Sequence, residues 1–166
     1  MSDRDRDRAF AEYFAARSSA MRATAFLLCG DWHRAEDLTQ SAFTKLYLRW
    51  NRVQRHESLD PYLRRVLISS FIDEGRWGWW RRERPHDARI EHAADPEPSE
   101  DRVTLMRALA QVPPRQRAVL VLRYWQDLSV EETAAALGCT AGTVKSQAAR
   151  GLETLRTLVA HPVTAD

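Results

Sequence analysis

Apolar residues recur along most of this chain at intervals of three and four, the spacing of a helix with one buried face. No stretch alternates strictly between apolar and polar, and no Asn-Gly turn occurs, so no strand is predicted. The first helix is expected over about 7–28, with Phe10, Tyr13, Phe14, Arg17, Met21 and Leu28 along one side. "GDWH" turns the chain. A second helix, about 33–50, buries Ala35, Leu38, Ala42, Leu46 and Trp50. "NRVQRHES", 51–58, is polar and reads as a loop. Asp60 is then placed to cap a helix that starts with Pro61 and turns Leu63, Val66, Leu67 and Ser70 inward.

After residue 84 the pattern changes. "RPHDARIEHAADPEPS", 84–99, holds three prolines, many acids and few large apolar groups, so it reads as a linker. Ser99 can cap a short helix with Leu105, Leu109 and Val112 inside, and "VPP" stops it. Pro114 starts another, with Ala118, Leu122 and Trp125 facing inward. In "LSVEETAAALGCTAGTVKSQAARGLETLR" the local signals are densest. Ser129 and Glu132 make a capping box, Gly138 can take the left-handed conformation that ends a helix, and Thr140 caps the next. A longer helix, about 141–160, carries Val144, Ala148, Leu152 and Leu155 inward. Helix, short turn and longer basic helix make a helix-turn-helix pattern. The fold class expected is all-α: two small helical domains, 1–84 and 100–160, joined by an acidic linker, 85–99, with a tail at 161–166.

Charge sharpens this division. Residues 49–84 carry nine arginines against five acids, a local +4, whereas 87–101 carry six acids against one arginine, a local −5. Residues 141–160 return to +2. Basic blocks attract polyanions, although a solvated, salt-bridged surface has the same composition. No run of 18 apolar residues occurs, so no membrane insertion is expected. The charged N-terminus lacks the apolar region of a secretory signal, and Cys29 and Cys139 stand in no ligand spacing. Both read as free thiols in a reducing cytoplasm.

With Val144, Ala148 and Leu152 turned inward, Thr143, Lys145, Ser146, Gln147 and Arg150 are left towards solvent. Lysine and arginine neutralise phosphates, and glutamine can pair with an adenine edge, so the set suits a DNA major groove. "IDEGRWGWWRRERP", 72–85, is a different case, because half of the six tryptophans lie among its arginines. Extended at about 100° per residue from Leu63, Trp77 falls near Val66 and Ser70, while Trp79 and Trp80 leave that stripe. Flat rings held outside a core beside arginines suit an unpaired nucleic-acid strand, which stacks its bases on them. A latch closing the bundle, or a protein interface, would use the same residues. Arg65, Ser69, Asp73 and Arg76 form a polar row on this helix, fit either for a strand of DNA or for solvent.

"AEDLTQSAFTKLY", "LDPYLRRVLISSFID", "VPPRQRAVLVLRYW" and the helix-turn-helix segment closely resemble the extracytoplasmic-function sigma factors of bacterial RNA polymerase, in particular an actinobacterial SigE-like branch. The resemblance spans about 8–160. It implies that the first domain is region 2, which binds core polymerase and the minus-ten element. The second would be region 4, which reads the minus-thirty-five element. No region 1.1 or folded region 3 fits the length, and the acidic linker would follow the path that polymerase provides for RNA. The resemblance implies core RNA polymerase (its β′ clamp helices and β flap) and promoter DNA as partners, with an anti-sigma factor a further partner common in the family. Asp37, Gln40, Ser41, Thr44 and Tyr47, opposite the buried stripe of the second helix, would meet the clamp helices. Asn51, Arg55 and His56 would contact a flipped minus-ten base, and Arg65, Ser69, Asp73, Arg76, Trp79 and Trp80 the melted strand. Gln147 stands where many relatives have arginine, and the glycine-broken "GRWGWWRRE" departs from plain arginine runs.

Two other classes share parts of this pattern. A stand-alone helix-turn-helix regulator would bind duplex DNA without polymerase, but no ligand-pocket or phosphoacceptor signature accompanies the motif. An enzyme would need a catalytic set. His33 and Asp37 lie at i, i+4 without a third metal ligand, and no HExxH, GxSxG or P-loop occurs. No catalytic residue, cofactor or metal is implied, and the setting expected is the bacterial cytoplasm, at the nucleoid.

Overall fold

In the computed structural model, which describes residues 1–56, 58–81 and 99–161, the described residues form helices and turns with no strand. The side chains of His56 and of residues 75–81 lie outside the description, as do residues 82–98, which take in most of the expected linker at 85–99, and those from 162.

Helix α1 (Asp3–Cys29) begins earlier than the apolar pattern suggests. Ser2 and Asp5 close a capping box there, and Asp3 and Asp5 favour the positive end of the helix dipole. Gly30 ends α1 at φ 74°, a backbone conformation that costs glycine little. The Asp31 carboxylate accepts from the His33 and Arg34 amides at 2.8 and 3.4 Å and starts α2 (Trp32–Leu48).

The expected loop at 51–58 is mostly a third helix, α3 (Trp50–His56). Trp50 and Val53, three positions apart, are both only 2% exposed, and their burial offsets the polarity of the rest. Asp60 does not cap α4 (Leu59–Arg81), because it sits inside the first turn. It accepts from the Tyr13 hydroxyl at 2.6 Å and pairs with Arg17 at 3.1 Å, tying α4 to α1.

In the C-terminal half, α5 (Glu100–Gln111) is capped by Ser99, and α6 (Pro114–Leu120) runs into a π-helical turn, Val121–Trp125. Two residues expected inside are outside: Leu105 is 45% and Trp125 59% exposed. The π turn is the reason for the second. Its bonds reach back five residues, Gln126 N–H to the Val121 carbonyl at 3.1 Å, so the α-helical register fails there. Leu105 lies on a short amphipathic helix whose burial is carried by Ala108, Leu109 and the residue that follows it, Val112. Phe14 and Arg17, expected on the inner stripe of α1, are also largely exposed. Helices α7 (Val130–Leu137) and α8 (Ala141–Ala160) complete the chain.

The two groups of helices share one apolar core. Met21, Leu28 and Phe71 from the first group join Leu109, Leu120 and Leu122 from the second. Polar contacts among the described residues also cross the seam. The Gln126 side-chain amide donates to Thr24 Oγ1 at 2.8 Å, and its oxygen accepts from Arg64 Nε at 2.9 Å. Arg117 donates to the Leu28 carbonyl at 2.6 Å.

Candidate nucleic-acid interface

The helix-turn-helix is built as its sequence dictates. Ser129 Oγ accepts from the Glu132 amide at 3.0 Å, and the Glu132 carboxylate accepts from the Ser129 amide at 3.2 Å. These bonds hold the Glu132 carboxyl below its usual range, the backbone amide contributing most. Gly138 takes φ 65° and returns its amide to the Ala134 carbonyl. Thr140 Oγ1 then accepts from the Thr143 amide at 3.1 Å and starts α8. Val144 is fully buried against Val119 and Ala134 and fixes the rotation of α8 about its axis.

That rotation leaves Lys145, Ser146 and Arg150 exposed. Thr143 and Gln147 are half-buried instead. With Arg115, Val119, Leu137 and Cys139 they line a shallow hollow between α6 and α8. Arg115 is a basic group that the helix-turn-helix pattern could not reveal, because it comes from a helix 28 residues before Thr143. Further along, Gly151 lets α8 approach α6: a Cβ there would lie 3.1 Å from Leu120 Cδ1 and 3.4 Å from Gln116 Cβ.

On α4, Arg65, Ser69 and Asp73 are exposed at i, i+4 and i+8, as their spacing predicts. Arg65 lies over the Tyr62 ring, 5.4 Å from its centre. The backbone of Arg76, Trp79 and Trp80 is helical within α4, but their side chains fall outside the described residues. Asn51 and Arg55 are exposed one turn apart on α3, rather than on a loop, and the His56 side chain is not described.

On α2, Asp37, Gln40, Ser41 and Thr44 are exposed in one stripe. Leu48, 76% exposed, continues it at the next i+4 position. Tyr47 is different. It is half-buried at the edge of the stripe, its hydroxyl accepting from Arg6 Nη2 at 3.1 Å and donating to Asp7 Oδ1 at 2.8 Å. The 100° wheel already sets Leu48 beside Thr44 and Tyr47 further round, so the signal for Leu48 was present in the spacing.

Two half-buried groups mark the seam electrostatically. Burial lowers the Arg117 guanidinium to about 10, yet it stays charged at neutral pH. Carbonyls of Ala110 and Val112, both at 2.8 Å, join that of Leu28 around it, and the Phe71 ring centre is 5.7 Å away. The Cys29 thiol beside it is pushed up, chiefly by burial, which makes it a poor nucleophile.

This chain matches two protein-family models, one described as Sigma-70 region 2 over residues 14–84 and one as Sigma-70, region 4 over residues 102–155. It is 40% identical over 153 residues to the RNA polymerase sigma-E factor of Streptomyces coelicolor, covering 89% of this chain and 84% of that one. It is 36% identical to the ECF RNA polymerase sigma factor SigE of Mycolicibacterium smegmatis, over 82% of this chain and 56% of that one. Among solved structures, it is similar in fold to the sigma factor RpoE of Bartonella quintana, solved in complex with the anti-sigma factor NepR. The TM-score is 0.75 at 24% identity, covering 93% of this chain and 99% of the other.

Proposed function

Because this chain belongs to the extracytoplasmic-function sigma factors of bacterial RNA polymerase, we propose that its exposed helix faces divide the work of promoter recognition among them. The protein is an alternative sigma factor of transcription initiation. In our reading residues 1–84 form region 2, 85–99 the acidic linker, 100–160 region 4, and 161–166 a tail. The recognition helix α8 reads the minus-thirty-five duplex through Lys145, Ser146 and Arg150, with Thr143 and Gln147 at the edge of the contact. Phosphate neutralisation by the two cations supplies affinity, and side-chain contacts with base edges supply choice.

Helices α3 and α4 take the minus-ten element. Asn51, Arg55 and His56 meet a flipped base, Arg65, Ser69, Asp73 and Arg76 follow the strand, and Trp79 and Trp80 stack on unpaired bases. The α2 stripe of Asp37, Gln40, Ser41 and Thr44 docks on the β′ clamp helices, and region 4 on the β flap. An anti-sigma factor is the partner that would compete for these surfaces. The protein performs no chemistry of its own: strand opening is driven by the binding energy of the opened strand, at the nucleoid in the cytoplasm.

The observation that carries this reading is that one chain presents a capped helix-turn-helix with outward cations and, on separate helices, two further exposed polar faces. Run-off transcription on genomic fragments tests it. Core polymerase with this protein should start transcripts at defined positions, and the protein alone should bind the same promoters poorly. Tight binding without polymerase, and no transcript with it, would instead identify a stand-alone regulator.

A further inference from the structure

The first two turns of α1 have no apolar face, since "SDRDRDR" alternates charges. They lie before residue 14, where the region 2 match begins. Yet they are helical, started by the Ser2 capping box, and they reach one long-range partner with unusual completeness. The Tyr47 hydroxyl, some 40 positions away, accepts from Arg6 at 3.1 Å and donates to Asp7 at 2.8 Å. The Arg6 guanidinium also lies over the Tyr47 ring, 5.1 Å from its centre, and Asp3 holds Arg6 at 3.5 Å. Phe10 packs edge-on against the same ring, centroids 5.1 Å apart.

A tyrosine at the edge of an exposed helix stripe would ordinarily sample several side-chain rotamers. Here both hydrogen-bonding directions of its hydroxyl are taken by one helix, which also sets Arg6 and Phe10 against its ring. The bundle does not need this clasp to close, because Phe10 and Tyr13 already pack on Trp50 beneath it at 5.7 and 5.9 Å. Exposed ion pairs such as these add little to stability. What the clasp does add is a fixed orientation of Tyr47 beside the α2 stripe.

We propose that Arg6 and Asp7 are positioning residues for polymerase docking, holding Tyr47 as a preset wall of the α2 face. This rests on the reading of that face given above. A preset side chain spares the complex the cost of ordering it. Tyr47→Phe keeps the ring and removes the hydroxyl, and Arg6→Ala removes the donor that lies over the ring.

The test titrates the full-length protein against core RNA polymerase, with thermal midpoint and minus-thirty-five duplex affinity as parallel readouts. Arg6→Ala and Tyr47→Phe should each weaken core binding about three- to ten-fold, the range expected for one side chain left unordered. The double variant should lose clearly less than the sum of the two single ones, because Arg6 holds Tyr47 in part through the hydroxyl that Tyr47→Phe removes. Midpoint and duplex affinity should not move. Unchanged core binding in both variants, tighter binding, or additive losses would overturn the proposal. Asp37→Arg separates the two readings. If it abolishes core binding while the clasp variants do nothing, only the clasp is wrong. If it too is without effect, the α2 face is not a docking surface and both readings fall.

Discussion

The N-terminal helices are joined by rings, the C-terminal helices by small residues. Among the described residues Phe26 stacks on Trp32 at 4.0 Å, and a separate mesh of rings runs from Phe10 to Trp50, in which Phe10 by itself meets Phe14, Phe43, Tyr47 and Trp50. In the C-terminal helices Val144 is buried against Val119 and Ala134, and Gly151 brings α8 up against Leu120 and Gln116 of α6. Rings span gaps and tolerate small adjustments, because edge-to-face packing persists over a range of distances. Small residues bring backbones close and leave no room to adjust. The difference suits the proposed tasks: a broad scaffold that presents two faces, and a recognition helix whose rotation must be right to a fraction of a turn.

The largest break should come at the centre of the mesh. Trp50→Ala removes a side chain 2% exposed that touches Phe10 and Tyr13, and should cost about 3–5 kcal/mol in urea unfolding. Trp50→Phe should recover most of it, since a ring remains to pack edge-on. Equal losses for both would show that the mesh is as exacting as the small-residue side.

The counterpart is Gly151→Val, which adds atoms where a Cβ alone would stand 3.1 Å from a Leu120 that is itself 5% exposed. It should cost about 1–3 kcal/mol and weaken duplex binding by tilting α8, leaving core binding intact. Duplex affinity equal to wild type would mean that α6 moves freely with α8.

The seam tests whether the two kinds of packing depend on each other. Gln126→Ala leaves Arg64 Nε and Thr24 Oγ1 without their partner, and Thr24 is 1% exposed. A loss of about 1–3 kcal/mol is expected, with one unfolding transition splitting towards two as the groups uncouple. A single unshifted transition would show that Gln126 adds nothing to the apolar contacts and the Arg117–Leu28 bond that join them.

The seam is also where the sequence was silent. The contacts that form it link residues 62, 89 and 102 positions apart, and no local pattern encodes such pairs. Caps and turns were legible because their partners lie within four residues: Ser129 with Glu132, Gly138 with Ala134, Thr140 with Thr143. Helix α3 was missed because two buried side chains carry it in a polar heptapeptide. Trp125 was misplaced because the π turn breaks the 100° rule on which its placement rested. For the candidate site the same division holds. The exposed residues of α2, α4 and α8 follow from helical phase, whereas Arg115 beside Gln147 and the clasp on Tyr47 are products of tertiary packing.

The smallest expected effect lies in the cap of α7, and pH gives it a signature. Ser129→Ala should cost about 1 kcal/mol, the usual worth of a side-chain cap. Glu132 adds a titrating partner. Its folded carboxyl is held below the ordinary range, so the unfolded chain takes up the proton first as pH falls. The stabilisation is complete above the unfolded glutamate range and disappears as pH drops through the lowered folded value. Ser129→Ala removes the bonds from the Ser129 hydroxyl while leaving its amide, and Glu132→Gln removes the charge. The wild type should therefore lose stability between neutral and acid pH more steeply than Glu132→Gln, with Ser129→Ala between them. Parallel acid limbs for all three would show that the carboxylate contributes nothing to holding the first helix of the helix-turn-helix.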